Sequence, residues 1–453
     1  MKPKMAFFLS LGVAALLVWP AAARADDTAT IKELQNQVKA LQEQVQKLQE
    51  AQSAAAARGT GQDEAEKDKG LDGLLGRDFL KSKGLTFGFY GETKYRFPES
   101  GANSFDAHRF VLLPGYQFAD WLVFNAELEL EHGAVDESVN GGRNRFNGEL
   151  ELEQFYVDIL LNEHFNIRSL GIDVMPVGRI SKYHEPTVFY STERPELYRE
   201  IIPTTWQEPS LGIFGKIVDN LDYQLTVSTG LEDFIPAAGL GAPGITAADG
   251  LRNARPRLRA SSENSLGYSG RLHYSGLKGL DTSASFYLTQ VQGVSGNSWL
   301  SLWDVEALYR VPKTGLELRG DFAYWHLGSP QSLVVNNNAS TTDNVGDAMY
   351  GWYLEAAWHL WPEAWRKGKG KDMDLVPFIR YTDIVTQSGV PVGSTSLDNG
   401  TANKDFFTAG VSYFLNQNFV LKADWRRNLN GSTATKASAA NQDYFQIGAG
   451  MFF

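Results

Sequence analysis

The stretch Leu122-Val123-Phe124-Asn125-Ala126-Glu127-Leu128-Glu129-Leu130-Glu131 decides the fold. Leu122, Phe124, Ala126, Leu128 and Leu130 form one apolar set, interleaved with Val123, Asn125, Glu127, Glu129 and Glu131. A period of two belongs to a β-strand with one apolar and one polar face. The same texture runs outward in both directions. Phe87, Phe89 and Tyr95 alternate with Glu92, Lys94 and Arg96; Leu316, Leu318, Phe322 and Tyr324 with Glu317, Arg319 and Asp321; Phe419, Leu421, Ala423 and Trp425 with Lys422, Asp424 and Arg426.

Sixteen such segments are expected, at 85–97, 107–118, 122–132, 148–161, 166–176, 210–218, 221–230, 266–275, 281–290, 301–311, 315–327, 349–360, 374–385, 406–415, 418–428 and 443–453. Connections after even-numbered segments are mostly short, and those after odd-numbered ones are expected to run from about ten to thirty-five residues, as in barrels with tight periplasmic turns and long outer loops. The basic segment Pro362 to Met373 is an extended turn at the short end. A soluble sandwich also alternates, but with its apolar face inside. Three features favour apolar-outside. Charges recur on the polar face of most segments, which suits a wet lumen. Aromatics gather near segment ends, at Tyr95, Phe97, Trp121, Trp303, Tyr324, Trp325, Trp358, Trp361, Tyr413 and Trp425, as interfacial girdles require. The chain also stops on a strand, with Phe445, Ile447, Ala449, Met451 and Phe453 on one face, so the last segment can close on the first. The fold class is therefore all-β: a 16-stranded antiparallel transmembrane β-barrel, since a closed sheet is the only β solution inside lipid.

Composition agrees and excludes other classes. The 453 residues carry 42 Lys+Arg against 53 Asp+Glu, a net charge of −11, with 44 Gly, 12% aromatics and no Cys. Without a basic run the chain has no footprint for nucleic acid. Without Cys it has no disulfide, thiolate metal site or Cys nucleophile. The seven His show no pair at metal-ligand spacing, and there is no Gly-x-Ser-x-Gly elbow, so neither an enzyme nor a cofactor is expected.

Ahead of the barrel the sequence changes character. Lys2 and Lys4, an apolar stretch from Met5 to Trp19, and Ala23-Arg24-Ala25 make residues 1–25 a secretory signal peptide. Ile31, Leu34, Val38, Leu41, Val45 and Leu48 repeat at spacings of three and four. That is the seam of a short coiled coil, assigned to residues 26–57, which would borrow stability from an oligomer formed by the barrel. Residues 58–83 read as a linker and 84–453 as the barrel.

This organisation, with Gly88-Phe89-Tyr90-Gly91 opening the barrel, Glu193-Arg194-Pro195 in the third long loop, Glu208-Pro209-Ser210-Leu211-Gly212 restarting the sheet and the terminal Tyr444 to Phe453, resembles the phosphate-selective porin O and P family of Gram-negative bacteria. The resemblance implies a homo-oligomeric, trimeric outer-membrane pore set in lipid and lipopolysaccharide, with the coiled coil in the periplasm, passing small hydrophilic solutes and anions such as phosphate. The family's phosphate-binding residues do not align here one by one. The alternative function is a barrel scaffold, or an envelope tether, for a periplasmic or redox partner.

For selectivity, the third long loop, Val177 to Pro209, is the candidate constriction, through Arg179, Lys182, Arg194, Arg199, Glu193 and Glu200. Pro186, Pro195 and Pro203 within it suit a fixed fold inside the barrel, although a solvated outer loop reads equally well. Arg255, Arg257 and Arg259 are candidates for a basic rim. Glu127 and Glu129 on one wall, with Arg319 and Arg380 on another, would divide the lumen electrically; otherwise the glutamates are hydrated or paired with Arg.

Overall fold

The computed structural model describes residues 84–133, 148–231, 245, 250–255, 265–293, 296–328, 345–389, 402–431 and 441–453. The chain divides into Met1–Asp68 and Lys69–Phe453. The signal peptide, coiled coil and linker assignments all fall on residues 1–83, outside the described residues.

Among the described residues sixteen strands close into one antiparallel ring, each paired with its sequence neighbours. They are β1 (Leu85–Pro98), β2 (Ser104–Ala119), β3 (Leu122–Glu131), β4 (Leu150–Leu160), β5 (Asn166–Val174), β6 (Gln207–Val218), β7 (Leu221–Thr229), β8 (Leu266–Tyr274), β9 (Leu280–Gly293), β10 (Gly296–Arg310), β11 (Leu316–Leu327), β12 (Ala348–Trp358), β13 (Asp374–Ser388), β14 (Asn403–Asn416), β15 (Phe419–Asn428) and β16 (Tyr444–Phe452). Every expected segment is present. Closure comes from β16 on β1, with Tyr90 opposite Phe452 and Pro98 opposite Tyr444. The terminal residue seals the seam: Phe453 N–H donates to Phe89 O at 2.8 Å and Phe89 N–H donates back at 3.0 Å.

The expected loop rhythm needs correction at two places. Only residues 99–103 separate β1 from β2, and only 294–295 separate β9 from β10, where a loop of about ten was expected. Here Val291 continues the inward face and strand pairing runs to Gly293 opposite Gly296, so hydrogen bonding absorbs residues that sequence assigned to a loop.

Orientation follows the alternation. On β15 Trp425 is 42% exposed, while its neighbours Asp424 and Arg426, at 2% and 5%, point inward. Leu128, Phe155, Leu211, Val305, Phe322, Leu354, Ile379, Leu421 and Ile447 form an outward apolar face, against inward Glu127, Asp158, Arg168, Asp304, Asp321, Glu355, Arg380 and Lys422. A soluble protein buries apolar groups and exposes charge, so this surface is built for an apolar surrounding. No helix among the described residues is long and apolar enough to cross a membrane. Of the expected girdle residues, Trp325 is misplaced: it is fully buried inside the ring.

β5 is nine residues long and carries register shifts on both sides, between Phe155 and Asp158 of β4 and between Arg168 and Gly171 against β6. Bulges bend a strand and end its pairing. The chain leaves β5 for the third long connection, residues 175–206, called L3 below.

Candidate functional site

L3 folds into the ring, and its first turn shows why. Gly178 has φ +68°, and a Cβ there would stand 2.6 Å from Tyr198 Cε1, so only glycine admits both the turn and the close packing. The amides of Gly178 and Arg179 then point at the wall: Gly178 N–H donates to Asp304 Oδ1 at 3.4 Å, and Arg179 N–H to Glu306 Oε2 at 3.0 Å. Two short helices follow, α1 (Arg179–Lys182) and α2 (Leu197–Glu200).

One side of L3 is apolar. Val177, Ile180, Phe189, Leu197, Tyr198, Ile201, Ile202 and Trp206 form a core with Tyr287 and Val291 of β9, Leu300 and Leu302 of β10, Trp325 and Leu327 of β11, Met349 and Tyr353 of β12 and Ile384 of β13. The Trp206 ring lies 4.4 Å from Tyr287 between centroids. This half of the lumen is a packed interior, not a water-filled wall. Its signal was in the sequence: Trp299-Leu300-Ser301-Leu302-Trp303 and Phe322-Ala323-Tyr324-Trp325 are nearly apolar on both faces, the pattern of a strand buried on both sides.

The other side of L3 is ionic and consumes much of the basic wall. Glu193 accepts from Lys94 Nζ at 2.9 Å and Arg96 Nη2 at 2.6 Å. Glu196 lies 3.4 Å from Arg426 and 3.9 Å from Arg380, and Glu200 accepts from Lys404 at 2.9 Å. Lys422 and Arg319 donate to the carbonyls of Ser191, at 2.9 Å, and Val188, at 2.6 Å. Asp304, Glu306 and Asp321 gather donors from L3, including Tyr198 Oη, and from Arg271, Ser283 and Ser285.

Against the acidic wall of β3 and β4, Arg109 Nη2 donates to the His184 carbonyl at 2.6 Å while its Nε meets Glu92 at 2.9 Å and Nη1 stands 3.9 Å from Glu129. Tyr90 Oη donates to Glu127 Oε1 at 2.7 Å. Burial, with Arg194 and Arg109 nearby, holds the His184 imidazole well below its ordinary pKa. Burial pushes the Glu185 carboxyl up to about 7.

A cavity of about 610 Å³ remains on the short-turn side of α1, bounded by the inner faces of β1 to β9. It is lined by both signs of charge: Arg168, Arg179, Lys182, Lys216 and Arg271 with Glu127, Asp158, Glu185, Asp222 and Asp281. Of the candidate constriction residues, Arg179 and Lys182 face this cavity, with Arg179 Nη1 3.3 Å from Asp281 and Lys182 Nζ donating to Gln224 at 3.0 Å. Glu193 and Glu200 are bound to the opposite wall as described. Arg199 is partly exposed, 3.8 Å from Glu200, and Arg194 Nη1 reaches Thr205 Oγ1 at 3.5 Å. Arg255 donates to the carbonyls of Thr204 and Thr205, joining the fourth long loop to L3. Arg257 and Arg259 lie outside the described residues. Arg319 and Arg380 share the carboxylate of Glu355, at 3.9 and 3.2 Å. Sequence reading missed Tyr90 and Lys404 as members of this site, because nothing local marks which wall L3 meets.

No protein-family model matches the chain. An uncharacterized protein of Aquifex aeolicus (strain VF5) is 28% identical over 365 residues, which is 79% of each chain. Among solved structures, OmpF of Salmonella typhi, in complex with daunomycin, is similar over 82% of this chain and 97% of its own, with a TM-score of 0.53 and 14% identity. The outer membrane channel DcaP of Acinetobacter baumannii is similar over 84% and 100%, with a TM-score of 0.51 and 12% identity. At these identities the likeness is one of fold: the ring is a porin-like barrel.

Proposed function

We propose that the chain is an outer-membrane porin of a Gram-negative bacterium, a water-filled channel for passive diffusion of small hydrophilic solutes, with anions such as phosphate as the preferred class. One observation carries this reading: a closed ring that is apolar outside and charged inside, with a cavity of about 610 Å³ beside the loop that crosses its lumen. Lipid solvates the first face and water the second. L3 is the narrowing element. It leaves a path along β1 to β9, where Arg179 and Lys182 meet the solute and Glu193, Glu200, Arg194 and Arg199 hold the loop and set the field around it. The anion preference rests on the family resemblance, since the lining itself carries both signs of charge. The pore works as a homo-oligomer, a trimer, with the coiled coil in the periplasm.

The test is conductance in planar bilayers. Purified oligomer should give stepwise currents, and Arg179→Glu should move the reversal potential in a salt gradient toward cations. No current at any voltage from folded protein would overturn the channel; an unmoved reversal potential would overturn the placement of its narrows.

A further inference from the structure

Three potential ligand groups meet where L3 contacts β1, β3 and β4. His184 Nδ1 lies 3.1 Å from the Ser181 carbonyl. A carbonyl only accepts, so Nδ1 carries the imidazole proton and Nε2 presents a bare lone pair. Nε2 faces Tyr90 Oη at 2.8 Å, but that hydroxyl has one proton and directs it to Glu127 Oε1 at 2.7 Å. Glu153 is fully buried, with Oε2 3.8 Å from His184 Nε2, and neither of its oxygens receives a hydrogen bond. Among the described residues no ion pair joins it to Arg109, which is engaged by Glu92, Glu129 and the His184 carbonyl, or to Arg194, whose charge acts on it from farther away while Nη1 reaches Thr205. Two buried carboxylates and a lone pair therefore converge, with ligand atoms of His184, Glu127 and Glu153 all within 4.8 Å of one another. A buried carboxylate without a partner is expensive, and a bound cation removes the expense.

We propose that His184 Nε2, Glu127 and Glu153 form a site for a divalent transition-metal ion of the zinc type, with Tyr90 Oη beside its open position. An imidazole nitrogen with two carboxylates is a borderline donor set that suits zinc-like ions better than calcium or magnesium, which prefer all-oxygen cages. Three protein ligands with one position left open is the arrangement of an accessible zinc site. Donation of the second imidazole nitrogen to a backbone carbonyl is the support that metal-bound histidines carry. Entry is available, since Tyr90, Glu127 and His184 all line the 610 Å³ cavity. The apolar core of L3 includes no residue of β1 to β4, so a metal here would fasten the loop to the wall that this core does not reach. The inference does not depend on what the pore conducts.

A second cluster must be separated from the first in any test. Asp106, with His132 Nδ1 at 2.9 Å and His108 Nδ1 at 3.2 Å, lies where β2 begins and β3 ends, but its carboxylate is already partnered by both rings. Full-length protein in detergent, stripped with EDTA, would be titrated with zinc chloride by calorimetry, beside Glu153→Gln and His132→Ala. The wild type should take up zinc at this site, and Glu153→Gln should weaken that uptake by at least about 100-fold while His132→Ala leaves it intact. X-ray absorption at the zinc edge of the wild type should show one imidazole, a readout that stands even if a variant fails to fold. No uptake by folded wild-type protein, two imidazoles at the edge, or loss in His132→Ala alone would overturn the site. Uptake of a proton without zinc on lowering the pH would identify a carboxyl pair sharing a proton, and would overturn it too.

Discussion

Replacing Glu193 by Gln removes one charge from the lumen and little else. The amide oxygen can still accept from Lys94 and Arg96, which now reach Glu193 at 2.9 and 2.6 Å, so the shape of L3 is kept while two cations lose their counter-charge. The size of the effect follows from Coulomb's law: a unit charge about 5 Å from an ion, at the dielectric of water, contributes about 0.8 kcal/mol, roughly fourfold in occupancy. Anions gain what cations lose, so the permeability ratio moves by roughly 15-fold without screening. At about 0.1 M salt the Debye length of roughly 10 Å trims this to roughly fivefold. Reversal potentials across a salt gradient in planar bilayers measure the ratio directly, and they should shift toward anions, more strongly at low salt. Heat-modifiable migration of the folded barrel in gels checks that L3 and its ring survive. A folded, conducting Glu193→Gln protein with an unchanged ratio at low salt would refute the role of this charge in setting the field around the solute path.

Two further outcomes follow. Trp206→Ala empties the centre of the L3 core, where the ring is fully buried against Tyr287, and should cost about 3–5 kcal/mol; L3 then loosens, seen as larger and noisier single-channel currents and a lower unfolding temperature of the folded band. His359, just past β12, is held by the Asp374 carboxylate at 2.6 Å and by Glu317, which raise its pKa to about 9. Because the folded value lies above the ordinary imidazole value of about 6.5, this stabilisation is fully present below about pH 6.5 and is lost as pH rises through about 9. His359→Gln should flatten the pH dependence of unfolding across that window, measured by melting temperature.

Much of the barrel was legible because alternation is local. Consecutive side chains of an extended chain point to opposite faces whatever lies far away, so Leu122 to Glu131 announces a two-faced strand by itself, and repetition of the pattern to Phe453 announces a ring that can close. Short turns such as Asp219-Asn220 could be read for the same reason. The β9–β10 connection was misjudged because Gln290 to Ser298 carries turn residues that pairing across the hairpin overrode.

The sequence alone determined the number of ribbons, their two faces and the presence of one long charged loop rich in proline. Tertiary structure alone decided where that loop lands: that Trp325 faces Trp206's core and not lipid, that Glu193, Glu196 and Glu200 claim cations from β1, β13, β14 and β15, and that His184 meets Glu127 and Glu153. The reason is range. Strand character is fixed by neighbours one and two residues away, whereas the partners of a lumen charge come from positions tens to hundreds of residues distant, brought together only once the ring has closed and the loop has turned into it.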